Sequence, residues 1–320
     1  MTYQPAAIDD DLNTLPKLPG WVTSLRAETL ETVAFRSGAA LMVLDALVSD
    51  PRYGVPVKLL ANCVALKAAA ATSKLQGRMA REGDIRDAFH LTPPGEARGP
   101  DGDLLAFWRE AARMRLTGRD WQVVLKGFVG SEFEMDVDVW LQSAVAHSRT
   151  HGPLAGCVAV VRAVLAVDDR AERAACLLSD IVLARCLNWP MILPVSALNL
   201  TKAVLRDLVG NGQGADLAVQ QRLLQSTEEA IRLARDLAQR GAALQVVAPK
   251  LRAKGSDAAV ALFLSEDAVA PSTMLSPLIQ GTGIPMTDRA ARRFCDRLME
   301  MGVARELTGR PTFRLYGIAP

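Results

Sequence analysis

Apolar residues recur three and four positions apart along most of the chain, which is the period of a helix with one buried face. The pattern is clear in residues 25–48 and 56–78, which predict two helices separated by Asp50-Pro51. Residues 91–103 are rich in proline and glycine and predict a loop. A run at 217–247 predicts one long helix or two.

Other segments depart from the single apolar stripe. Residues 154–187 predict two helices that are apolar on most sides, and this pattern indicates central burial. Two prolines follow in an extended connector, which leads into a helix predicted at 197–208. Residues 131–140 alternate acidic and apolar positions like a strand, but Ser131 can cap a helix, so a helix is predicted there.

These elements predict a mostly α protein in three parts. Residues 1–19 form a flexible N-terminal tail, and residues 20–254 form an all-helical, multi-helix bundle domain. Residues 255–320 form a small winged-helix domain, in which α-helices are followed by a β-hairpin. The boundary is placed where Gly255 breaks a helix and Ser256 can cap the next one.

The C-terminal part contains one helix with two opposed faces. Thr287 is predicted to cap a helix at 288–301, and Gly302 suits the position after its end. The predicted buried stripe consists of Ala291, Phe294, Leu298 and Met301. The opposite face carries Arg289, Arg292, Arg293, Asp296 and Glu300, with Arg297 on its flank.

Arginines fill the N-terminal half of this helix, where the helix dipole disfavours cations. The pairs Arg292–Asp296 and Arg297–Glu300 are expected to recover part of that cost. A phosphate partner is the alternative explanation of the charge order.

The segment VARELTGRPTFRLYGI, residues 303–318, predicts two strands with a tight turn near Thr308-Gly309. Phe313 and Leu315 alternate with Arg314 and Tyr316, which is the pattern of a half-buried strand. Helix, helix, turn, helix and hairpin is the order of a winged helix, whose third helix usually enters the major groove. The predicted nucleic-acid-binding residues are Thr287, Arg289, Arg292, Arg293, Arg310 and Arg314.

Composition and charge restrict the class of protein. The chain has 320 residues, half of them apolar and few of them aromatic, which favours a sizeable helical core. Its net charge of +2 argues against a chain that coats nucleic acid along its length, but allows one basic patch. The five cysteines are scattered and predict free buried thiols. An acidic N-terminus and interrupted apolar runs predict a soluble, cytoplasmic protein without a membrane partner.

No constellation of residues indicates a reaction. His147 and His151 could share a metal on a helix, but Gly152-Pro153 ends that helix and a polar helix end is favoured. His90 stands alone before a loop. The acids of residues 131–138 would line a cation site only if that segment were a strand. The sequence therefore predicts no catalytic residue, no metal site and no cofactor, and an enzyme is disfavoured although still open.

Four stretches carry a family resemblance: AFRSGAALMVLDALV, LKAAAATSKLQGR, IRDAFHLTPPGEARGPDG and DRLMEMGVARELTGRPTFRLYGI. Together they resemble an uncharacterised alphaproteobacterial family, the domain-of-unknown-function family numbered fourteen hundred and three, which is often plasmid-borne. The likeness covers about residues 23–318. The family has no established activity, so the resemblance implies no site residue.

A fainter likeness is to Fic-type proteins, helical AMP-transferases that often carry a C-terminal winged helix. The span that matches their catalytic loop is Arg162–Arg170, where Arg162 replaces the catalytic histidine and only Arg170 agrees. The general base and the glycine-rich phosphate cradle are missing. This likeness therefore implies at most a catalytically dead relative that kept the helical scaffold.

Three functions follow, in descending order of support. The first is a DNA-binding or regulatory protein that contacts double-stranded DNA through the winged helix. The second is a non-catalytic scaffold whose winged helix packs against the helical domain, a protein partner or a second copy in a homodimer. The third is a degenerate Fic-like transferase fold.

Overall fold

The computed structural model describes residues 15–93, 95–118, 120–251, 254–310 and 312–319. Within these ranges the chain is mostly helical and ends in a two-stranded antiparallel hairpin, as predicted. The helices are α1 Gly20–Thr23, α2 Leu30–Ser49, α3 Val57–Leu75, α4 Glu82–His90, α5 Gly99–Arg113, α6 Trp121–Val129, α7 Val137–His151, α8 Pro153–Val167, α9 Glu172–Cys186, α10 Lys202–Val209, α11 Ala215–Val247, α12 Ser256–Phe263 and α13 Asp288–Glu300. The strands are β1 Arg305–Glu306 and β2 Tyr316–Gly317.

The centre of the helical part is α9, which is buried on all sides from Ala174 to Ala184. It packs against α8, and α8 packs in turn against α7. Gly156 allows the last contact, because a Cβ there would lie 1.8 Å from Ser148 Oγ and 2.6 Å from Ala144 O. The apolar character of residues 154–187 thus has the predicted consequence of central burial.

Some helix boundaries differ from the prediction. The helix expected at 197–208 begins only at Lys202, because Thr201 accepts a hydrogen bond from Val204 N and caps it there. The segment at 131–140 is a short 3-10 helix, Ser131–Phe133, and then the start of α7. The predicted helical character is therefore correct from Val137 onwards.

Helix α2 packs along the long helix α11. The ion pair Arg36–Glu228 joins them, with 2.7 Å between Arg36 Nε and Glu228 Oε1. Of the helices described, α2 is the one whose length and composition would allow it to cross a membrane, with mean hydropathy 1.4. The expectation from the sequence concerns uninterrupted apolar runs, and α2 contains the charged residues Glu31, Arg36 and Asp45. The core helix of a soluble protein can have the same length and composition. In α2, 39% of the most apolar stretch is buried within the protein.

The C-terminal module, here residues 254–310 and 312–319, contains α12, a π-helical turn at Pro271–Leu275, α13 and the hairpin. Arg305 faces Gly317 and Glu306 faces Tyr316 in the hairpin. Val269, between α12 and the π-helical turn, pairs antiparallel with Tyr316 through N–O distances of 2.7 and 2.9 Å. The hairpin is therefore joined by a third short extended segment.

The second predicted strand is wrong at Phe313. The strands are short, and Phe313 lies in the loop between them, 73% exposed and with a φ of 55°. Leu315 and Tyr316, which were expected on opposite faces, are both buried. The alternation of apolar and polar residues there does not reflect a regular strand.

Candidate nucleic-acid interface

Helix α13 starts where the sequence predicts. Thr287 Oγ1 accepts a hydrogen bond from Ala290 N at 3.3 Å and caps the first turn. The helix runs from Asp288 to Glu300, and Gly302 follows its end with a φ of 70°. Thr287 therefore has a structural role in positioning the arginines that follow it.

The two faces of α13 separate cleanly. Its buried face consists of Ala291, Phe294, Cys295 and Leu298, and Met301 just beyond it is half-buried. Its exposed face includes Arg289, Arg292, Arg293, Asp296, Arg297 and Glu300. Packing of the apolar face thus fixes the axis of the helix and leaves all of its guanidinium groups in solvent.

One of the two expected ion pairs on this helix is replaced by another. Arg297 pairs with Glu300 at 3.0 Å as expected. Arg292 does not pair with Asp296 but with Asp288, at 3.0 Å from Nε to Oδ2. An acid four residues before a base is the more favourable orientation, because each charge then also suits its end of the dipole.

One flank of α13 lies beside the end of α11. A cleft of about 790 Å³ separates them, lined by Arg293 and Arg297 on one side and by Lys250 on the other. Lys250 is exposed and ends the 3-10 turn Ala248–Lys250 that follows α11. The cleft therefore adds a lysine to the basic face, and the sequence pattern of α13 alone could not indicate it.

The other flank of α13 faces the loop between the strands. Arg292 and Asp296 line a second cleft, of about 540 Å³, together with Phe313, Arg314 and Tyr316. Arg314 is exposed, and its Nε donates a hydrogen bond to Arg310 O at 3.2 Å. This flank is more mixed in charge than the first.

Arg310 occupies a different environment from the other predicted site residues. Its Nη2 lies 3.3 Å from Asp87 Oδ2 of α4. Next to it, Arg86 Nη2 donates to Leu307 O at 2.8 Å. Arg310 thus holds the hairpin loop against the helical part of the chain, and among the predicted site residues it is the one paired with an acid of that part.

A buried charge cluster anchors the C-terminal module more deeply. Arg109 of α5 is 1% exposed and pairs with both Glu266 and Asp267, which follow α12. His90 Nε2 lies 3.4 Å from Asp267 Oδ1, and the Arg109 guanidinium lies 4.9 Å from the centre of the Phe89 ring. Burial acts to raise the pKa of Asp267, but His90 and Arg109 outweigh it and hold that pKa below its usual value.

Sequence reasoning missed this cluster because it treated His90 as an isolated residue. One signal was available, since Arg109 lies four residues after Leu105 and three residues before Ala112 in the sequence of α5. Both neighbours are buried, so Arg109 lies on the apolar face of α5. A charge on such a face requires a buried partner.

Comparison with known families gives one match. Residues 6–318 match the family described as "Protein of unknown function (DUF1403)". The chain belongs to this family. A search of the curated proteins with this chain found no match. The match covers nearly the whole chain, and the description of the family names no activity.

The other candidates from the sequence gain no support as binding sites. The rings of His147 and His151 stack at 4.2 Å on the exposed end of α7. In the described ranges, no group of three or more histidine, cysteine, aspartate or glutamate side chains could hold a metal ion. All five cysteines are free, and four of them are buried.

Proposed function

We propose that this chain binds double-stranded DNA through the exposed face of α13, with Arg289, Arg293 and Arg297 contacting phosphates. The observation that carries the proposal is that this face meets solvent while its opposite face is fully packed. The ion pairs that α13 makes in the described part of the chain lie within the helix, and both are at least half exposed. Such pairs contribute at most about 1 kcal/mol, so phosphates can displace them.

The order of elements supports the same proposal. Helix α12, the extended residue Val269, the π-helical turn, α13 and the hairpin follow each other as in a winged helix. In that arrangement α13 would be the helix that enters the major groove. A protein of this kind would act as a regulator or a plasmid-associated factor.

The test is a duplex-binding titration across a range of salt concentrations. The variant Arg289→Ala/Arg293→Ala should bind more weakly than wild type at low salt. Because each lost phosphate contact lowers the slope of log K against log salt by about 0.9, the slope should fall by about 1.8. Fluorescence anisotropy with a labelled duplex measures both quantities.

A matched control is Arg149→Ala/Arg232→Ala, which removes the same charge from exposed positions on α7 and α11. It should leave the slope unchanged, because the described residues that line the two clefts beside α13 include none from α7 or α11. Equal slopes for wild type and both variants would reject the proposed DNA-binding face.

The second function, a scaffold in which the module is a packing element, is favoured by a separate observation. Arg109 and Asp87 hold Asp267 and Arg310 of the C-terminal module against α5 and α4. In this hypothesis the C-terminal module serves to pack against the helical part through those contacts, and it does not bind DNA. Duplex binding that is absent at all salt concentrations would favour it.

The third function, a degenerate Fic-like scaffold, has the least support. Arg162, at the position of the catalytic histidine in that comparison, pairs with Asp216 and donates to Leu208 O at 2.8 Å. Its side chain therefore ties α8 to α10 and α11. This is a structural role, consistent with a catalytically dead relative.

A further inference from the structure

The loop between β1 and β2 presents an aromatic ring to solvent. This wing loop, the described residues 307–310 and 312–315, contains Phe313, whose residue surface is 73% exposed. Its φ of 55° lies in the left-handed region, which is sterically unfavourable for a large side chain. Exposure of the ring and strain in the backbone both oppose folding stability, so folding alone does not explain this residue.

The wing loop is braced rather than free. Glu306 accepts hydrogen bonds from Thr308 N at 2.7 Å and from Gly309 N at 2.8 Å. Arg86 and Asp87 of α4 hold Leu307 and Arg310 from outside the loop. These contacts hold residues 307–310 of the loop, and on the other side of Phe313 the Nε of Arg314 donates to Arg310 O at 3.2 Å. Phe313 therefore lies in a loop that is anchored at Leu307 and Arg310 and that returns to the core at the buried Leu315.

The charges around the ring identify its partner. Phe313 shares its cleft with Arg292 and Arg314, and Asp296 is the acid in the same cleft. An apolar ring that shares a cleft with two guanidinium groups fits the chemistry of DNA, in which stacked bases lie between two rows of phosphates. The cleft is also continuous with α13, whose arginines are proposed above to contact phosphates.

We infer that Phe313 is a wedge that inserts between base pairs of double-stranded DNA beside the groove occupied by α13. The inference rests on the proposed function and deepens it. Apolar side chains that insert in this way unstack a base step and kink the duplex. Pyrimidine–purine steps unstack most easily, so such steps are the expected sites of insertion.

The test uses the full chain and a duplex of about 30 base pairs with a central TA step. A fluorescent adenine analogue at that step reports unstacking by a rise in emission. Wild type should bind and raise the emission. Phe313→Asn should bind about tenfold more weakly, because an aromatic stacking contact with a base is lost, and should not raise the emission.

Two features make the comparison specific. Asparagine tolerates a positive φ, so Phe313→Asn should keep the fold. It removes no charge, so its salt slope should equal that of wild type, in contrast to Arg289→Ala/Arg293→Ala. Phe313→Trp keeps a ring and should retain both binding and the rise in emission.

The outcomes separate the wedge from the proposed function. Duplex binding with a normal salt slope, but with no rise in emission, would overturn the wedge and leave the proposed function standing. Equal affinity of Phe313→Asn and wild type, or a rise in emission that persists in Phe313→Asn, would also overturn it. Tighter binding to the single strand than to the duplex would overturn it too. Failure of wild type to bind the duplex at any salt would reject the proposed function, and the wedge with it.

Discussion

At the scale of single residues, Asp180 in the centre of α9 is a buried acid with a strongly raised pKa. It is 1% exposed, and its Oδ1 accepts a hydrogen bond from Ser196 N at 2.8 Å. Burial raises its pKa from 3.8 to about 8, although the bonds from Ser196 oppose the rise. Asp180 is therefore mostly protonated at neutral pH and ties the connector after α9 to the core.

The shift predicts a pH dependence of stability. Between pH 3.8 and about 8 the folded state holds a proton on Asp180 that the unfolded state has lost. Because the folded state then binds more protons, raising the pH lowers the free energy of unfolding, by at most about 1.4 kcal/mol per pH unit. Asp180→Asn imitates the protonated acid and should remove this dependence.

Urea unfolding of wild type and Asp180→Asn at several pH values measures the effect. The difference in stability between them should grow in favour of the variant from about pH 4 to about pH 8 and then stay constant. Asp267 also makes stability depend on pH, but its contribution to the free energy of unfolding cancels in this difference because both proteins contain it. A difference that does not vary with pH would contradict a raised pKa.

Phe313 shows where residue-level prediction fails. Its alternation with Arg314 predicts a strand face, but the structure places it in a loop with positive φ. Period-two patterns identify strands only where a partner strand continues beside them. Here the regular pairs end at Glu306 and Tyr316, and beyond them Leu307 N donates to Leu315 O at 2.8 Å. Local periodicity therefore cannot predict the ends of strands that are only two residues long.

At the scale of elements, α13 is the best-predicted helix. Thr287, the apolar stripe and Gly302 specified its start, its buried face and its end, because caps and periodicity act within one turn. The start of α10 and the partner of Arg292 were predicted less well. Both depend on a choice between several local hydrogen bonds or ion pairs that the sequence permits.

The charge order of α13 predicts a conflict between stability and binding. Arg289 is the second residue of the helix, where the dipole disfavours a cation. Arg289→Glu should raise the free energy of unfolding by about 0.3–1 kcal/mol. If Arg289 contacts phosphate as proposed, the same change should weaken duplex binding, because repulsion would replace that contact.

Thermal unfolding and anisotropy measured on the same samples test this conflict. Arg289→Gln is the matched control, because it removes the cation without adding an acid and should give intermediate values. If Arg289→Glu is less stable than wild type, Arg289 has a structural role. That result would count against the hypothesis that Arg289 is kept to contact a DNA phosphate.

At the scale of the whole molecule, the buried cluster of His90, Arg109, Glu266 and Asp267 anchors the C-terminal module to α4 and α5. Arg109 and Asp267 are separated by more than 150 positions in sequence and are both nearly inaccessible to solvent. Removing one partner of such a pair leaves an uncompensated buried charge, which costs about 3–5 kcal/mol. Arg109→Met should therefore destabilise the protein by that amount.

Urea unfolding measures the loss, and Arg113→Met is the control, since Arg113 is an exposed residue of the same helix. The control should change stability by less than about 0.5 kcal/mol. Adding Glu266→Gln and Asp267→Asn to Arg109→Met should restore part of the loss, because the unpaired charges are then removed. An Arg109→Met variant as stable as the control would contradict an anchoring role for the cluster.

The sequence by itself determined that this protein is mostly helical, which segments are central, and that α13 has one apolar and one arginine-rich face. Those properties follow from periodicity, capping and composition, which act over a few residues. Only the tertiary structure decided that Arg109 and His90 meet Asp267, that Arg310 is held by Asp87, and that Lys250 lies beside α13. These contacts join residues far apart in the chain, and no local pattern specifies which of the available charges will be neighbours once the helices have packed.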